Sequence, residues 1–124
     1  MGSTKNVLKT WHAVRAESMG GNVTSPVTGV QFLDNLSVQL NFTGTPTGVF
    51  SVEVSNDYDQ DSQGAIINLG NWIAIPLNPA PVAAGAADQI IIDLNQMPEP
   101  WMRVVYTRAS GTGTLDMYIS AKMV

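Results

Sequence analysis

The stretch LSVQLNFTGTPTGVFSVEVS, residues 36–55, decides the fold class. Over residues 36–42 every second residue is apolar and the residues between them are polar, and residues 50–54 repeat this alternation. A period of two is typical of an antiparallel strand that buries one face. The segment TGTPTG, residues 43–48, contains the glycines and the proline that suit a tight reversal. We therefore predict a β-hairpin over residues 36–55.

A second hairpin is predicted over residues 101–122. WMRVVYTR, residues 101–108, is rich in aromatic and β-branched residues, and TLDMYISAKM, residues 114–123, alternates apolar with polar positions. SGTGT, residues 110–114, provides the turn between them.

Four further segments have weaker patterns. WIAIPL at 72–77 and QIIIDLN at 89–95 predict strands, and the isoleucine run of the latter is compatible with a strand covered on both faces. KNVLKTWHAVRAE at 5–17 could form an amphipathic helix, but its apolar stripe is thin, so we favour an extended strand. NPAPVAAGAAD at 78–88 predicts a surface loop.

Seven or more short strands in 124 residues predict an all-β protein, with an antiparallel β-sandwich or jelly-roll-like single domain. The chain has 44% hydrophobic and only 13% charged residues, which suits one domain of strands and tight turns. We divide it into residues 1–20, an N-terminal arm or first strand that contacts neighbouring chains, and residues 21–124, the β-sandwich domain.

Composition also restricts the classes of function. The net charge is −4 and the six basic residues are scattered, which argues against nucleic acid as a partner. No run approaches the roughly 20 apolar residues of a membrane span, and the N-terminal segment lacks the apolar core of a signal peptide. Because cysteine is absent, there is no thiol nucleophile and no cysteine zinc site.

The acidic segment SNDYDQDSQG, residues 55–64, is the main candidate for a metal site. Its aspartates are Asp57, Asp59 and Asp61. They match the first, third and fifth positions of a calcium-binding loop, but Ser62 replaces the glycine and Asn68 the terminal acid. We interpret the segment as a solvated hairpin loop that holds no metal. A looser calcium site of the β-sandwich kind is the alternative, because three carboxylates in one loop can still collect a hard cation.

No set of residues predicts a reaction centre. His12 is the only histidine and belongs to no nucleophile or metalloprotease motif, so we expect a structural or exposed role for it. Asp88, Asp93 and Glu99 could pair by chance, but no cleft pattern distinguishes them. We predict that the protein is not an enzyme and that it uses no cofactor.

The three tryptophans, Trp11, Trp72 and Trp101, each open or lie within an apolar strand. Aromatic side chains on a β surface can stack on sugars, but core packing is the default in such a position. We therefore expect these side chains in the core or at a subunit interface.

Three phrases together carry a family resemblance: LDNLSVQLNFTGTPTGVFSVEVSND at 33–57, AAGAADQIIIDLN at 83–95 and WMRVVYTRASGTGTLDMYISAK at 101–122. Their order resembles that of small β-rich virion proteins of tailed bacteriophages, and the match covers about residues 33–122. The resemblance lies in strands and turns and brings no catalytic residues. It implies a structural role such as head decoration, cementing, or a neck or tail fitting.

The expected function is therefore that of a non-enzymatic virion structural protein, a capsid decoration or cement protein that stabilises the head lattice. It would be synthesised in the host cytoplasm and located in the virion. The alternatives are a neck, tail or fibre component, a host-surface carbohydrate-binding module, and lastly a free carbohydrate-binding domain or a hydrolase.

The expected partners are other virion proteins, above all the major capsid protein, and further copies of the chain. Capsid geometry makes a trimer the natural homo-oligomer. We expect residues 1–10 and the loop at 78–87 to contact neighbouring chains. Chain ends stay ordered when something holds them, and the loop would otherwise leave apolar surface exposed.

Overall fold

The computed structural model describes residues 7–30, 35–95 and 98–123. These ranges form strands β1 (Val7–Ser18), β2 (Val23–Thr24), β3 (Thr28–Gly29), β4 (Asn35–Gly44), β5 (Thr47–Ser55), β6 (Asp59–Gln60), β7 (Ile66–Asn68), β8 (Ile73–Ala74), β9 (Val82–Ala84), β10 (Asp88–Asn95), β11 (Trp101–Ser110) and β12 (Gly113–Met123). Within the same ranges no helix is long and apolar enough to cross a membrane.

The strands form two main antiparallel sheets. Sheet A has the order β1-β12-β4-β10, and sheet B has the order β2-β11-β5-β8. In sheet B, β3 also pairs with β11 and β9 also pairs with β5, so two short strands share each edge position. The chain crosses between the sheets in the pattern of a jelly roll. This confirms the predicted all-β fold, and β6 and β7 form a separate small hairpin.

The two sheets pack face to face through the apolar residues that alternate along each long strand. On β4 the apolar positions of the alternation are buried and the polar positions between them are half-buried. Phe42 of sheet A lies 5.5 Å from Phe50 of sheet B, measured between ring centroids, and Phe50 lies 5.0 Å from Tyr106. The inward-facing half of each strand therefore forms one continuous core between the sheets.

Both predicted hairpins are wrong, although their strands are present. β4 does not pair with β5, and β11 does not pair with β12, because β4 and β12 belong to sheet A whereas β5 and β11 belong to sheet B. The turns at 43–47 and 110–114 thus cross between sheets, and they pack against each other. The amide of Thr45 donates to the carbonyl of Thr112 at 2.9 Å. Gly111 has φ +76°, and a Cβ there would collide with the Thr45 carbonyl. Alternation fixes which face of a strand is buried but not which strand pairs with it.

The isoleucine run of β10 is not covered on both faces, contrary to our interpretation. β10 is an edge strand of sheet A that pairs only with β4 among the described strands. Ile92 and Leu94 are buried, whereas Ile91 is 56% exposed. A run of β-branched residues has high strand propensity on either face, so it does not report burial by itself.

Two other segments differ in extent from the prediction. The strand predicted over 72–77 is short, because only Ile73–Ala74 pairs with β5. The loop predicted over 78–88 contains β9, which pairs with β5 and buries Ala83.

The extended strand favoured over 5–17 is confirmed as β1. It pairs with β12 from Val7↔Met123 to Ser18↔Thr114, with irregularities after His12. The first strand is therefore an integral edge of sheet A. Contact of residues 1–10 with neighbouring chains stays a prediction, and residues 1–6 lie outside the described residues.

Candidate interaction surface

The acidic segment leads from the end of β5, at one end of sheet B, into β6 and the turn of the β6–β7 hairpin. Asp57 connects this segment to the chain that leads into β8. Its Oδ1 accepts hydrogen bonds from the Ser55 hydroxyl and the Asn71 amide, both at 2.8 Å, and its Oδ2 accepts one from the Asn71 side chain at 2.7 Å. The Asn71 amide and side chain, followed by Ser55, lower the pKa of Asp57 from 3.8 to about 2. These donors favour the ionised carboxylate.

The other two aspartates are also engaged with the backbone. Asp59 accepts from the amide of Gln60 at 2.9 Å. Asp61 accepts from the amides of Gln63 and Ala65, each at 2.9 Å, and so closes the hairpin turn. Such Asx contacts are a common local role for aspartate in turns. Across residues 7–30, 35–95 and 98–123, no group of three or more histidine, cysteine or acidic side chains is placed to hold a metal ion. The segment is therefore a hairpin in which each aspartate has a local structural contact, and the absence of a bound metal stays a prediction.

An aromatic cluster supports the base of the hairpin. Tyr58 is buried between Trp72 and Trp101, with ring centroids 5.5 Å and 5.0 Å away. The guanidinium of Arg103 lies 4.4 Å from the centre of the Trp72 ring, and its Nε donates to Glu53 at 2.7 Å. These contacts fix the position of the hairpin relative to sheet B.

Beside this cluster the chain exposes four large aliphatic side chains within eight residues. They are Ile66, Ile67, Leu69 and Ile73, which are 56%, 64%, 74% and 70% exposed. We call these four residues the β7–β8 patch. Large apolar side chains that a soluble protein leaves exposed close together in sequence can mark a site of contact with another protein. The patch is thus a candidate for contact with another protein.

The border of the patch is acidic. A cavity of about 630 Å³ is lined by Ile67 and Trp101 together with Asp57, Asp59 and Asp61. The three aspartates that we considered for calcium therefore share this cavity with Ile67, one of the four residues of the patch. The patch was not predicted from the sequence. Its signal was the apolar content of AIINLGNWI at 65–73, which lacks the alternation of a half-buried strand.

The remaining predicted residues do not assemble into a catalytic site. His12 Nε2 lies 2.9 Å from Asp116 Oδ1, and its ring stacks on Tyr118 at 4.2 Å between centroids. Asp88 and Asp93 lie five residues apart on β10, about 16 Å at the usual rise per residue. Because the separation is an odd number of residues, they point to opposite faces. Glycosidase carboxyl pairs are about 5–9.5 Å apart.

Glu99 is half-buried just before β11, where proline residues flank it. Trp11 is half-buried and packs against the core, as expected for a core tryptophan.

No protein-family model and no curated protein matches the sequence. Among solved structures, the SPBc2 prophage-derived protein YomS is similar with a TM-score of 0.56 and 11% identity, over 98% of this chain and 98% of that one. A chain of the infectious bursal disease virus Gt strain gives a TM-score of 0.57 and 11% identity, over 98% of this chain and 32% of that one. The N-terminal cellulose-binding domain of Cellulomonas fimi β-1,4-glucanase C gives 0.43 and 10%, over 98% and 78%. At these identities the first two similarities show a shared fold.

Proposed function

We propose that the protein is a non-enzymatic structural component of a tailed-bacteriophage virion, which decorates the capsid and strengthens its lattice. The observation that carries the proposal is the β7–β8 patch, four exposed aliphatic side chains within residues 66–73 of a jelly roll. The fold likeness to a prophage-derived protein over the full length of both chains, and to part of a viral chain, supports a viral setting.

The size of the patch indicates a contact that is weak when it acts alone. Complete burial of one Ile or Leu side chain stabilises by about 1.5–3 kcal/mol, and these four are already partly covered. Together they would contribute roughly 4–8 kcal/mol, whereas association costs about 4–15 kcal/mol. One copy would therefore bind weakly, and firm attachment requires several copies that are joined together. This supports our expectation of a homo-oligomer, for which capsid geometry suggests a trimer.

The acidic border specifies the chemistry of the partner surface. Arg103 pairs with Glu53, and no lysine or arginine in the described ranges forms an ion pair with Asp57, Asp59 or Asp61. A complementary surface would be apolar at its centre and would carry lysine or arginine at its edge. Such edge charges affect the association rate and its salt dependence more than the final affinity. The major capsid protein is the partner that we propose.

Stabilisation of the particle would follow from mass action. A protein that binds the assembled lattice and not its separated subunits adds its binding free energy to the assembled state. When one oligomer contacts several lattice subunits, the later contacts form at high effective concentration. No bond has to be made or broken for this role.

The test uses particles of the encoding phage that lack the protein. We expect such particles to assemble with normal shape but to lose DNA at a lower temperature or under osmotic shock. Added wild-type protein should restore their resistance, and the double variant Ile67→Ser/Ile73→Ser should not. Ile91→Ser changes a similarly exposed isoleucine on β10 and should restore as well as the wild type. Depleted particles that are as robust as complete ones would exclude the decoration role.

A second candidate function has its own supporting observation. The outer face of sheet A contains a depression whose lining residues are all uncharged, namely Thr10, Ser37, Gln39, Asn41, Tyr118 and Ser120. This supports a neck, tail or fibre component that binds a host-surface carbohydrate. If depleted particles are robust but fail to attach to cells, this candidate replaces capsid decoration.

A further inference from the structure

The outer face of sheet A contains a depression that lies outside the β7–β8 patch. It has a volume of about 280 Å³ and crosses β1, β12 and β4. Its lining residues are Thr10, Ser37, Gln39, Asn41, Tyr118 and Ser120. We call these six residues the polar groove.

The register of the sheet explains why these residues meet. Ser120 of β12 lies between Thr10 of β1 and Ser37 of β4. In the next row, two residues along, Tyr118 lies beside Gln39. Residues two apart on a strand share a face, so both rows project outward from the core.

The groove presents hydrogen-bonding groups that the protein leaves free. Gln39 Nε2 donates to Asn41 Oδ1 at 3.0 Å, and the hydroxyls of Thr10 and Ser120 are 2.9 Å apart. Among hydrogen bonds between described residues, none uses the Tyr118 hydroxyl, the Ser37 hydroxyl or the second amide atom of either Gln39 or Asn41. Except for Thr10, the groove residues are half-buried, which places these groups in a concavity rather than on a protruding surface.

The aromatic ring of the groove is held in a fixed position. His12 stacks on Tyr118 with an angle of 9° between the planes, and Asp116 holds His12 through a contact of 2.9 Å. His12 covers one face of Tyr118, and Tyr118 is among the residues that line the groove. A fixed aromatic surface beside free hydroxyl and amide groups matches a sugar ring, which has an apolar C–H face and polar edges.

The depression continues along the sheet. A second cavity of about 190 Å³ shares Ser37 and Ser120 with the first, and its lining includes Asn35, Asp93 and Lys122. A path over two adjoining depressions fits a chain of sugar units better than one ring. The six residues of the groove are uncharged, and Asp93 and Lys122 carry opposite charges, so the formal charge of the whole path is zero.

We propose that the polar groove binds a neutral oligosaccharide, with Tyr118 as the stacking residue and Ser37, Gln39 and Asn41 as hydrogen-bonding residues. Absence of net charge in the groove disfavours phosphate-rich or strongly acidic ligands. The proposal rests on sheet A alone and does not depend on attachment through the β7–β8 patch.

The test titrates the full chain with cellohexaose, xylohexaose, mannohexaose, maltohexaose and chitohexaose, and with a hexamer of galacturonic acid as the anionic comparison. Binding is followed by calorimetry and by NMR amide shifts. We expect at least one neutral hexamer to bind with a Kd below about 5 mM. The shifts should centre on β12 and β4, and the anionic hexamer should bind at least about tenfold more weakly.

Variants separate a sugar site from a general effect on the fold. Tyr118→Ala should weaken binding at least about tenfold, and Tyr118→Phe, which keeps the ring, should weaken it less. Ser37→Ala should also weaken binding, whereas Ser51→Ala, a half-buried serine on the outer face of sheet B, should not. Melting temperatures confirm that each variant is folded.

Two results would overturn the proposal. One is that no neutral hexamer binds at about 5 mM. The other is that binding survives Tyr118→Ala and Ser37→Ala unchanged. If sugars do not bind and these variants instead disrupt self-association or particle binding, the face is a protein contact.

Discussion

The outer face of sheet A and the β7–β8 patch are built on the same core but have opposite surface chemistry. Sheet A presents half-buried, uncharged hydrogen-bonding side chains in a shallow groove. The patch presents isoleucine and leucine side chains that are more than half exposed, with carboxylates at the edge. The first surface suits a polar ligand that replaces water in its hydrogen bonds, and the second suits an apolar protein surface.

The two surfaces also differ in the regularity of the strands that carry them. β4 and β12 are long and regular, so a buried residue at every second position fixes the positions between them on the outer face. β7 and β8 contain three and two residues and lie at the margin of the sandwich. Their apolar residues have no facing sheet to cover them, and the hairpin is held mainly by Asp57 and the Tyr58 cluster. The outer positions of β4 and β12 are thus polar, whereas β7 and β8 carry exposed apolar side chains.

The largest expected effect concerns the scaffold that both surfaces share. A Cβ on Gly113 would collide with the carbonyl of Thr43, where the two crossing turns pack together. We expect Gly113→Ala to reduce the free energy of unfolding by at least about 3 kcal/mol and to weaken binding through both surfaces. Gly21→Ala, where a Cβ meets no atom within 4 Å, should change it by less than about 0.5 kcal/mol. Urea denaturation measures both, and equal stability of the two variants would refute the crossed-turn packing.

The next effect separates the two surfaces. Ile67→Ser/Ile73→Ser should weaken binding to depleted particles at least about tenfold and leave oligosaccharide binding unchanged, because interface energy concentrates in a few buried side chains. Tyr118→Ala should do the reverse. Particle-binding isotherms and sugar titrations on the same preparations give the comparison. Parallel loss of both activities in either variant would show that the surfaces are not independent.

A smaller effect is expected at Asp57 and should depend on pH. The folded-state pKa of about 2 is below the unfolded value of 3.8, so the carboxylate stabilises the fold above about pH 4. That contribution is lost as the pH falls from about 4 towards 2. The melting temperature of the wild type should therefore exceed that of Asp57→Asn at pH 7, and the difference should disappear by about pH 2. In Asp57→Asn, backbone hydrogen exchange should be faster than in the wild type in β7 but not in β4. A difference in melting temperature that is constant with pH would contradict this role.

The smallest effect lies in the core between the surfaces. The Tyr106 hydroxyl is buried without a hydrogen-bond partner among the described residues, and burial raises its pKa. An unpaired buried hydroxyl costs about 1–3 kcal/mol, so Tyr106→Phe should leave the free energy of unfolding unchanged or raise it by about 1 kcal/mol. Both surfaces should be unaffected. A clear loss of stability in thermal or urea unfolding would indicate that the hydroxyl has a partner.

Much of the fold followed from sequence because burial of one face imposes a period of two on a long strand. β4, β5 and β12 were predicted for that reason, β11 was predicted from its aromatic and β-branched content, and β1 was correctly favoured as extended. Strand pairing was not predictable, because the glycines and proline of TGTPTG fit a hairpin turn and a crossing turn equally well. Only packing of this turn against SGTGT distinguishes the two.

The candidate surfaces were harder to predict than the strands. The acidic segment was predicted as a hairpin loop, and β6 and β7 do form a hairpin there, whereas the absence of a metal stays a prediction. The β7–β8 patch has no periodic signal. The polar groove depends on the register of β1, β12 and β4, and His12 and Asp116 are 104 residues apart in sequence. Local patterns do not contain such distant pairings.

The most direct test of the proposed function is density-gradient sedimentation of particles made by the encoding phage, with the chain quantified by mass spectrometry. Wild-type protein should sediment with DNA-filled particles in many copies for each particle. The Ile67→Ser/Ile73→Ser variant should stay with the soluble proteins at the top of the gradient. Wild-type protein at the top, or a variant that sediments with particles as fully as the wild type, would contradict attachment through the β7–β8 patch.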